Sequence, residues 1–126
     1  MGWSKAWLPK KPGAQAKPKQ PGQLRQRRGV PNKEEAAFGV VLSTWPGVKK
    51  IVFEGVTFRI ANGARYTPDY FVECTDGTVR CYEVKGFRRK AAILALKVAA
   101  AQYDVFQFFI AEFDRKTGWT IERVYP

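Results

Sequence analysis

The stretch that decides the fold is residues 66–87, which read YTPDYFVECTDGTVRCYEVKGF. Two apolar runs stand on either side of a short turn, a pattern that predicts a β-hairpin. The first strand carries Asp69, and the second carries Glu83 and Lys85. Two carboxylates can hold a divalent cation, and a lysine beside them can steady a water or a phosphate. Together they suit metal-assisted hydrolysis of a phosphodiester.

The turn decides whether these side chains can meet. Side chains alternate along a strand, so Asp69 and Glu83 share a face of an antiparallel pair only if they lie opposite one another. A two-residue turn would place them on opposite faces. A three-residue loop at 75–77, with Gly77 in the left-handed conformation of a G1 bulge, places them opposite each other. We therefore expect that loop, with Lys85 on the same face as Glu83.

The composition narrows the chemistry that such a hairpin can support. The chain of 126 residues is long enough for one domain with a modest core. It contains no histidine, which removes imidazole bases and almost every zinc site. Its two cysteines, Cys74 and Cys81, fall on opposite faces of the predicted hairpin, so we expect free thiols. Any catalysis must therefore use carboxylates, lysine, hydroxyls and a hard metal.

The charge is concentrated at the N-terminus. The chain has 22 Lys and Arg against 11 Asp and Glu, and residues 1–31 hold eight of the basic residues and none of the acidic ones. This segment is also rich in Pro, Gly and Gln, so we expect an extended or disordered basic arm before a domain at 32–126. Such an arm is attracted to DNA phosphates through Arg25, Arg27 and Arg28; the alternative is a tail that only aids solubility.

We expect an α/β domain with a mixed central β-sheet flanked by helices. Asn32 suits the N-cap of a first helix that runs to Leu42, with Glu34 and Glu35 in its first turn, where the helix dipole favours acids. The remaining pattern predicts strands at 49–53, 56–60, 65–74 and 78–85, a helix at 88–103, and strands at 105–111 and 119–124. Four aromatic residues are expected in the core: Phe106, Phe108, Phe109 and Phe113.

Asp69, Glu83 and Lys85 each have an ordinary explanation when taken singly, since most charged residues lie on the surface. Together they interrupt strands that are otherwise apolar. Charges in such strands need partners or a metal. The combination therefore favours a functional site over a solvated row of charges.

These segments carry a resemblance to a known group of enzymes. Residues 66–72, a short Asp-Gly turn and residues 82–87 resemble the PD-(D/E)XK nuclease superfamily. They resemble most closely its small phage-associated members, relatives of VRR-type nucleases and of archaeal-type Holliday junction resolvases. In that group a helix with a leading glutamate precedes the metal strands; Glu35 fits this place, and Glu34 is the alternative. The resemblance covers residues 33–112 and implies a restriction-endonuclease-like core.

The resemblance also implies roles for individual residues. Asp69 and Glu83 would ligate Mg²⁺ or Mn²⁺, with the Val84 carbonyl as a third ligand and Glu35 completing the site directly or through water. Lys85 would orient or deprotonate the attacking water and offset the charge that develops on the phosphorus. Oxygen-only ligands suit magnesium, which keeps several waters of its own.

A second basic cluster follows the hairpin, at the start of the predicted second helix. It would contact the DNA backbone near the cleaved phosphate through Arg88, Arg89, Lys90 and Lys97. Lys97 lies on the same helical stripe as Ile93, so we expect it to point towards the sheet. Relatives often carry an acid early in this helix, but here Ala91 or Ala92 takes that place.

Together with this resemblance, the sequence predicts a Mg²⁺-dependent endodeoxyribonuclease. The resemblance alone implies that it is encoded by a phage and acts on branched or Holliday-junction DNA. A resolvase needs two sites, which implies a homodimer. With no apolar run long enough to cross a bilayer and no secretory signal, we expect a soluble protein of the host cytoplasm without membrane contact. The alternatives are a catalytically silent nucleic-acid-binding protein of the same fold and a basic assembly protein whose arm binds RNA or protein.

Overall fold

The computed structural model describes residues 29–85 and 90–126, so the expectations for most of the basic arm and for residues 86–89 lie outside the described part. The described chain is a mixed α/β fold. Its elements in order are α1 (Lys33–Ser43), β1 (Val48–Phe53), β2 (Phe58–Arg59), one 3₁₀ turn (Ala61–Gly63), β3 (Arg65–Tyr66), β4 (Tyr70–Cys74), β5 (Val79–Lys85), α2 (Lys90–Gln102), β6 (Gln107–Asp114) and β7 (Gly118–Val124).

One mixed sheet of five strands organises the fold, in the order β1-β4-β5-β6-β7. Only the β5–β6 pair of this sheet is parallel, and α2 makes the crossover between those two strands. Strands β2 and β3 form a separate antiparallel pair. The predicted mixed sheet with flanking helices is confirmed at this level. No helix among the described residues is both long and apolar enough to cross a bilayer.

The two helices cover opposite faces of the sheet. On the α1 face, Phe38 and Leu42 pack against alternate residues of β4 and β5, among them Val72. On the α2 face, Leu96 and Ala99 pack with residues that point the other way, together with β2 and β3. This alternation separates the buried thiols: Cys74 belongs to the α1 face and Cys81 to the α2 face, and both are free, as predicted.

The central hairpin has the predicted register. Tyr70 lies opposite Tyr82, and the pairing continues residue by residue to the end of β4. Cys74 N–H donates to the Thr78 carbonyl at 2.9 Å, which leaves a three-residue loop at 75–77. Gly77 has φ +89°, the left-handed conformation of a G1 bulge. The expected loop and the register that depends on it are therefore confirmed.

Three predicted features differ in the structure. The strand expected at 65–74 is two strands, because Pro68 has no N–H for the ladder and the chain leaves the sheet between β3 and β4. The strand expected at 56–60 is only two residues long, at Phe58–Arg59. Phe113 was expected in the core, but it is 52 % exposed, and it lies in the exposed last three residues of β6.

We expect Gly77→Ala to lower the free energy of unfolding by about 1 kcal/mol, because a Cβ disfavours the left-handed conformation at φ +89°. Gly77→Asn should lose clearly less, since asparagine tolerates that conformation better. Urea denaturation of the three proteins gives the comparison. An alanine variant as stable as the wild type would show that the loop does not need a left-handed residue here.

Candidate metal centre

Three carboxyl groups lie buried at one end of the central strands. Glu35 comes from the first turn of α1, Asp69 directly precedes β4, and Glu83 lies near the end of β5; their exposures are 1 %, 4 % and 1 %. The charges of Glu83 and Glu35 both act on Asp69. The fold therefore brings the three predicted acids together, although Glu35 stands 34 residues ahead of Asp69 in the sequence.

Asp69 is fixed by its backbone and by its side chain. Glu54 N–H donates to the Asp69 carbonyl at 2.8 Å, which continues the β1–β4 pairing by one residue. Val84 N–H donates to Asp69 Oδ2 at 2.8 Å. Pro68 is fully buried beside it, which holds the entry to β4. Asp69 is therefore held in place like a residue of the sheet, in contrast to a residue of a mobile loop.

The carbonyl of Val84 faces the same side as its N–H. In an antiparallel pair the two groups of one residue point to the same neighbouring strand. Because the Val84 N–H points to Asp69, its carbonyl also points towards that carboxylate. β4 begins only at Tyr70, so this carbonyl lies at the place where the strand pairing ends. Its position fits the third ligand that the resemblance implies.

Glu83 is held by a tyrosine that the sequence pattern does not single out. Tyr66 Oη donates to Glu83 Oε1 at 2.6 Å, and both residues are buried. Burial, followed by the negative charge of Glu83, raises the pKa of the Tyr66 hydroxyl, which therefore remains a donor. An unbroken strand would have turned Tyr66 to the α1 face with Tyr70; the interruption at Pro68 brings it to the α2 face instead.

Helix α1 is docked so that Glu35, and not Glu34, faces the cluster. Asn32 and Glu35 form a capping box, in which the Asn32 N–H donates to Glu35 Oε1 at 2.9 Å and the Glu35 N–H donates to Asn32 Oδ1 at 2.8 Å. Tyr70 Oη donates to the Glu35 carbonyl at 2.6 Å. Gly39 leaves room for this, since a Cβ there would lie 2.5 Å from Tyr70 Oη. Glu34 is exposed.

The carboxyl groups of Asp69 and Glu83 are held close enough to interact strongly. Burial is the largest cause that raises the pKa of Asp69, and the charge of Glu83 is the next. The Val84 N–H opposes the shift, while Glu35 and a hydrogen bond between the two carboxyl groups add to it. Two like charges in apolar surroundings cannot both persist at low cost, so the pair retains a proton.

The donor set fits a hard divalent cation. Two carboxylates and a backbone carbonyl are oxygen ligands, and a cation would relieve the repulsion that the proton now relieves. Within residues 29–85 and 90–126, no group of three or more His, Cys, Asp or Glu side chains is spaced so that it could hold a metal ion as it stands.

Lys85 lies beside this cluster at the surface. By strand alternation it is on the face of Glu83, and its Nζ is 3.4 Å from Glu112 Oε2 on the neighbouring strand β6. The other lysines of the predicted basic cluster, Lys90 and Lys97, are both exposed. The expectation that Lys97 points towards the sheet is wrong, because Leu96 and its helical neighbours occupy the buried face of α2. Arg25, Arg27, Arg28, Arg88 and Arg89 lie outside the described residues.

Comparisons of the chain with models of protein families, with curated proteins and with solved structures find no significant match.

Because Asp69 keeps a raised pKa in the folded state, the folded chain retains a proton that the unfolded chain releases above its ordinary value of 3.8. We therefore expect the free energy of unfolding to fall as pH rises from 5 to 8, measured by urea denaturation in EDTA. The chain has no histidine, so few other side chains titrate in this window.

Asp69→Asn should flatten this decline and raise stability at pH 8 by about 1 to 2 kcal/mol, since the amide accepts from Val84 and adds a donor next to Glu83. Asp76→Asn, in the exposed turn of the same hairpin, is the control and should keep the wild-type slope. Stability that rises over this range, or an equal decline in Asp69→Asn, would contradict the shared proton.

Proposed function

We propose that this chain is a Mg²⁺- or Mn²⁺-dependent DNA endonuclease with a restriction-endonuclease-like core, of the phage-associated PD-(D/E)XK type. The observation that carries the proposal is the buried pair of carboxyl groups of Asp69 and Glu83, which lie together beside Glu35. Burying carboxyl groups costs free energy, so a module that only binds or scaffolds gains nothing from three of them. Perturbed pKa values of this kind concentrate at catalytic sites.

Asp69, Glu83 and the Val84 carbonyl would hold the cation, with Glu35 near enough to add negative charge. When bound, the ion lowers the pKa of a water and offsets charge on the phosphate. Tyr66 keeps the Glu83 carboxylate in place through its hydroxyl, so that this ligand stays aligned when the shared proton leaves. The hairpin register therefore determines the ligand geometry.

Lys85 is the group that we assign to the attacking water. It follows Glu83 by two residues on the same face, and its ammonium is exposed to solvent, where a substrate phosphate would lie. As an ammonium it has no lone pair with which to accept a proton, so from there it orients the water and offsets the charge that develops on the phosphorus. The ion pair with Glu112 restrains the lysine before the substrate binds.

The attachment of the basic arm supports DNA as the substrate. Gly29 N–H donates to Glu54 Oε1 at 2.8 Å, and Glu54 N–H donates in turn to the Asp69 carbonyl at 2.8 Å. Two hydrogen bonds, with Glu54 between them, therefore connect the end of the arm at Gly29 to Asp69 of the carboxyl cluster. Arg28 is the residue before Gly29. Among DNA structures, branched DNA and Holliday junctions are favoured by analogy of fold, and resolution of a junction would require a homodimer.

We expect cleavage of labelled DNA with Mg²⁺ or Mn²⁺ and none in EDTA, tested on single-stranded, duplex, flap and four-way-junction DNA. Asp69→Asn should lower the rate by more than about 100-fold, because even partners of a metal ligand cost 10- to 100-fold when removed. Mg²⁺ should also raise the melting temperature of the wild type but not of Asp69→Asn, which tests the metal site without reference to activity.

Matched variants separate the site from its surroundings. Lys85→Ala should lose most activity, while Lys49→Ala, which breaks a comparable surface pair with Glu73 at 3.5 Å, should keep it. Asp76→Asn serves as the control for Asp69→Asn. If the wild type cuts none of these substrates with either metal, the endonuclease proposal fails.

We expect the basic arm to strengthen the binding of DNA and to take no part in the cleavage reaction. Replacing Arg25, Arg27 and Arg28 by alanine should weaken duplex binding and reduce the slope of log affinity against log salt by about 2 to 3, since each phosphate contact contributes about 0.9. Fluorescence anisotropy at several salt concentrations measures both quantities. An unchanged slope would refute the role that we give to the arm.

A further inference from the structure

A cavity of about 410 Å³ opens on the α1 face of the sheet, between the first turn of α1 and the β6–β7 hairpin. That volume is in the range of small-molecule sites and is too small for a docked helix. It is lined by Lys33, Glu34, Ala37, Phe113, Arg115 and Trp119. None of these residues is part of the proposed metal site.

Two aromatic rings form one wall of the cavity. Phe113 and Trp119 lie directly opposite each other on β6 and β7, with ring centroids 5.3 Å apart. Trp119 also packs on Phe38 in the core, at 4.9 Å, which fixes the pair against the body of the protein. Phe113 nevertheless leaves 52 % of its surface in solvent. The two rings are tilted by 59° to one another, so the exposed Phe113 ring offers one face to a flat ligand and Trp119 supports it from the side.

The rim of the cavity is mainly positive. Lys33 and Arg115 stand beside the rings, and both are exposed, with Glu34 as the one acid in the lining. A ligand that matches this wall and this rim needs a flat π-face together with negative charge. Nucleotides have both features, whereas an acidic peptide offers the charge without the stacking face.

The cavity lies at the same end of the sheet as the carboxyl cluster, although it opens on the α1 face and Asp69 and Glu83 are on the α2 face. Phe113 follows Glu112, which lies opposite Lys85 in the β5–β6 register. A DNA strand held at the cluster can therefore reach the cavity around this end of the sheet within a few nucleotides. Paired bases of a duplex present no free face for stacking, so only an unpaired base can enter.

We propose that Phe113, supported by Trp119, stacks an unpaired base of the DNA substrate while Lys33 and Arg115 hold its phosphate. This inference rests on the proposed endonuclease function and specifies its substrate: DNA with unpaired bases next to the cleaved bond, such as flaps and junction arms that have opened. The cavity then selects the structure of the DNA, and the carboxyl cluster performs the reaction.

The test uses the full chain in EDTA, where no cleavage occurs, with a labelled oligothymidylate and a duplex of equal length. Phe113→Ala should weaken binding of the single strand by about 5-fold or more, as expected for loss of one stacked base, with less than about 2-fold effect on the duplex. Phe113→Tyr should restore single-strand binding. Arg115→Ala should also weaken single-strand binding. Because Arg115 lies in an exposed turn, this variant tests the cavity even if Phe113→Ala fails to fold.

A second aromatic-cation pair on the surface provides the control. Arg123 stacks over Tyr125 at 4.7 Å, and Tyr125 is 69 % exposed. If Tyr125→Ala weakens single-strand binding as much as Phe113→Ala, or if Phe113→Ala weakens the duplex equally, the proposal is overturned.

Cleavage assays separate the two proposals. Single-strand binding that depends on Phe113, in a protein that cuts nothing with Mg²⁺ or Mn²⁺, would overturn the endonuclease and leave the base-binding cavity standing. Metal-dependent cutting of flap and duplex DNA at equal rates, unchanged in Phe113→Ala, would support the endonuclease and overturn the base-binding cavity.

Discussion

The rest of the site depends on the contact between the carboxyl groups of Asp69 and Glu83. They meet because the hairpin loop is three residues long, which puts both on the α2 face of the sheet. Their repulsion in apolar surroundings costs free energy, and the stability of the sheet that holds them must offset this cost. The Val84 N–H and the Tyr66 hydroxyl stabilise the two carboxyl groups, one each, without separating them.

Local chemistry made much of this predictable. The N-cap at Asn32 follows from preferences within one helical turn, and the position of Gly77 follows from the conformation that a bulged loop demands. Strand alternation then determined the faces of Asp69, Glu83 and the two cysteines. These features depend on a few neighbouring residues, so the sequence alone was enough to specify them.

Features that depend on where strands stop were not predictable in the same way. Pro68 interrupts the single strand expected at 65–74, and this interruption turns Tyr66 over to Glu83. Phe113 has the spacing of a core residue, but whether a helix covers that end of β6 is a matter of tertiary packing. Lys97 was misplaced for a related reason, since helical spacing alone did not show which stripe of α2 packs on the sheet.

The docking of α1 has a consequence for the order in which the molecule is assembled. The hairpin of β4 and β5 closes through a three-residue loop, whereas the hydrogen bond from Tyr70 to Glu35 joins residues 35 positions apart. Contacts between distant parts of a chain form at a greater cost in entropy than local ones. A folding chain can therefore pair these two strands before helix α1 docks and brings Glu35 to them, so the complete cluster belongs only to the finished fold.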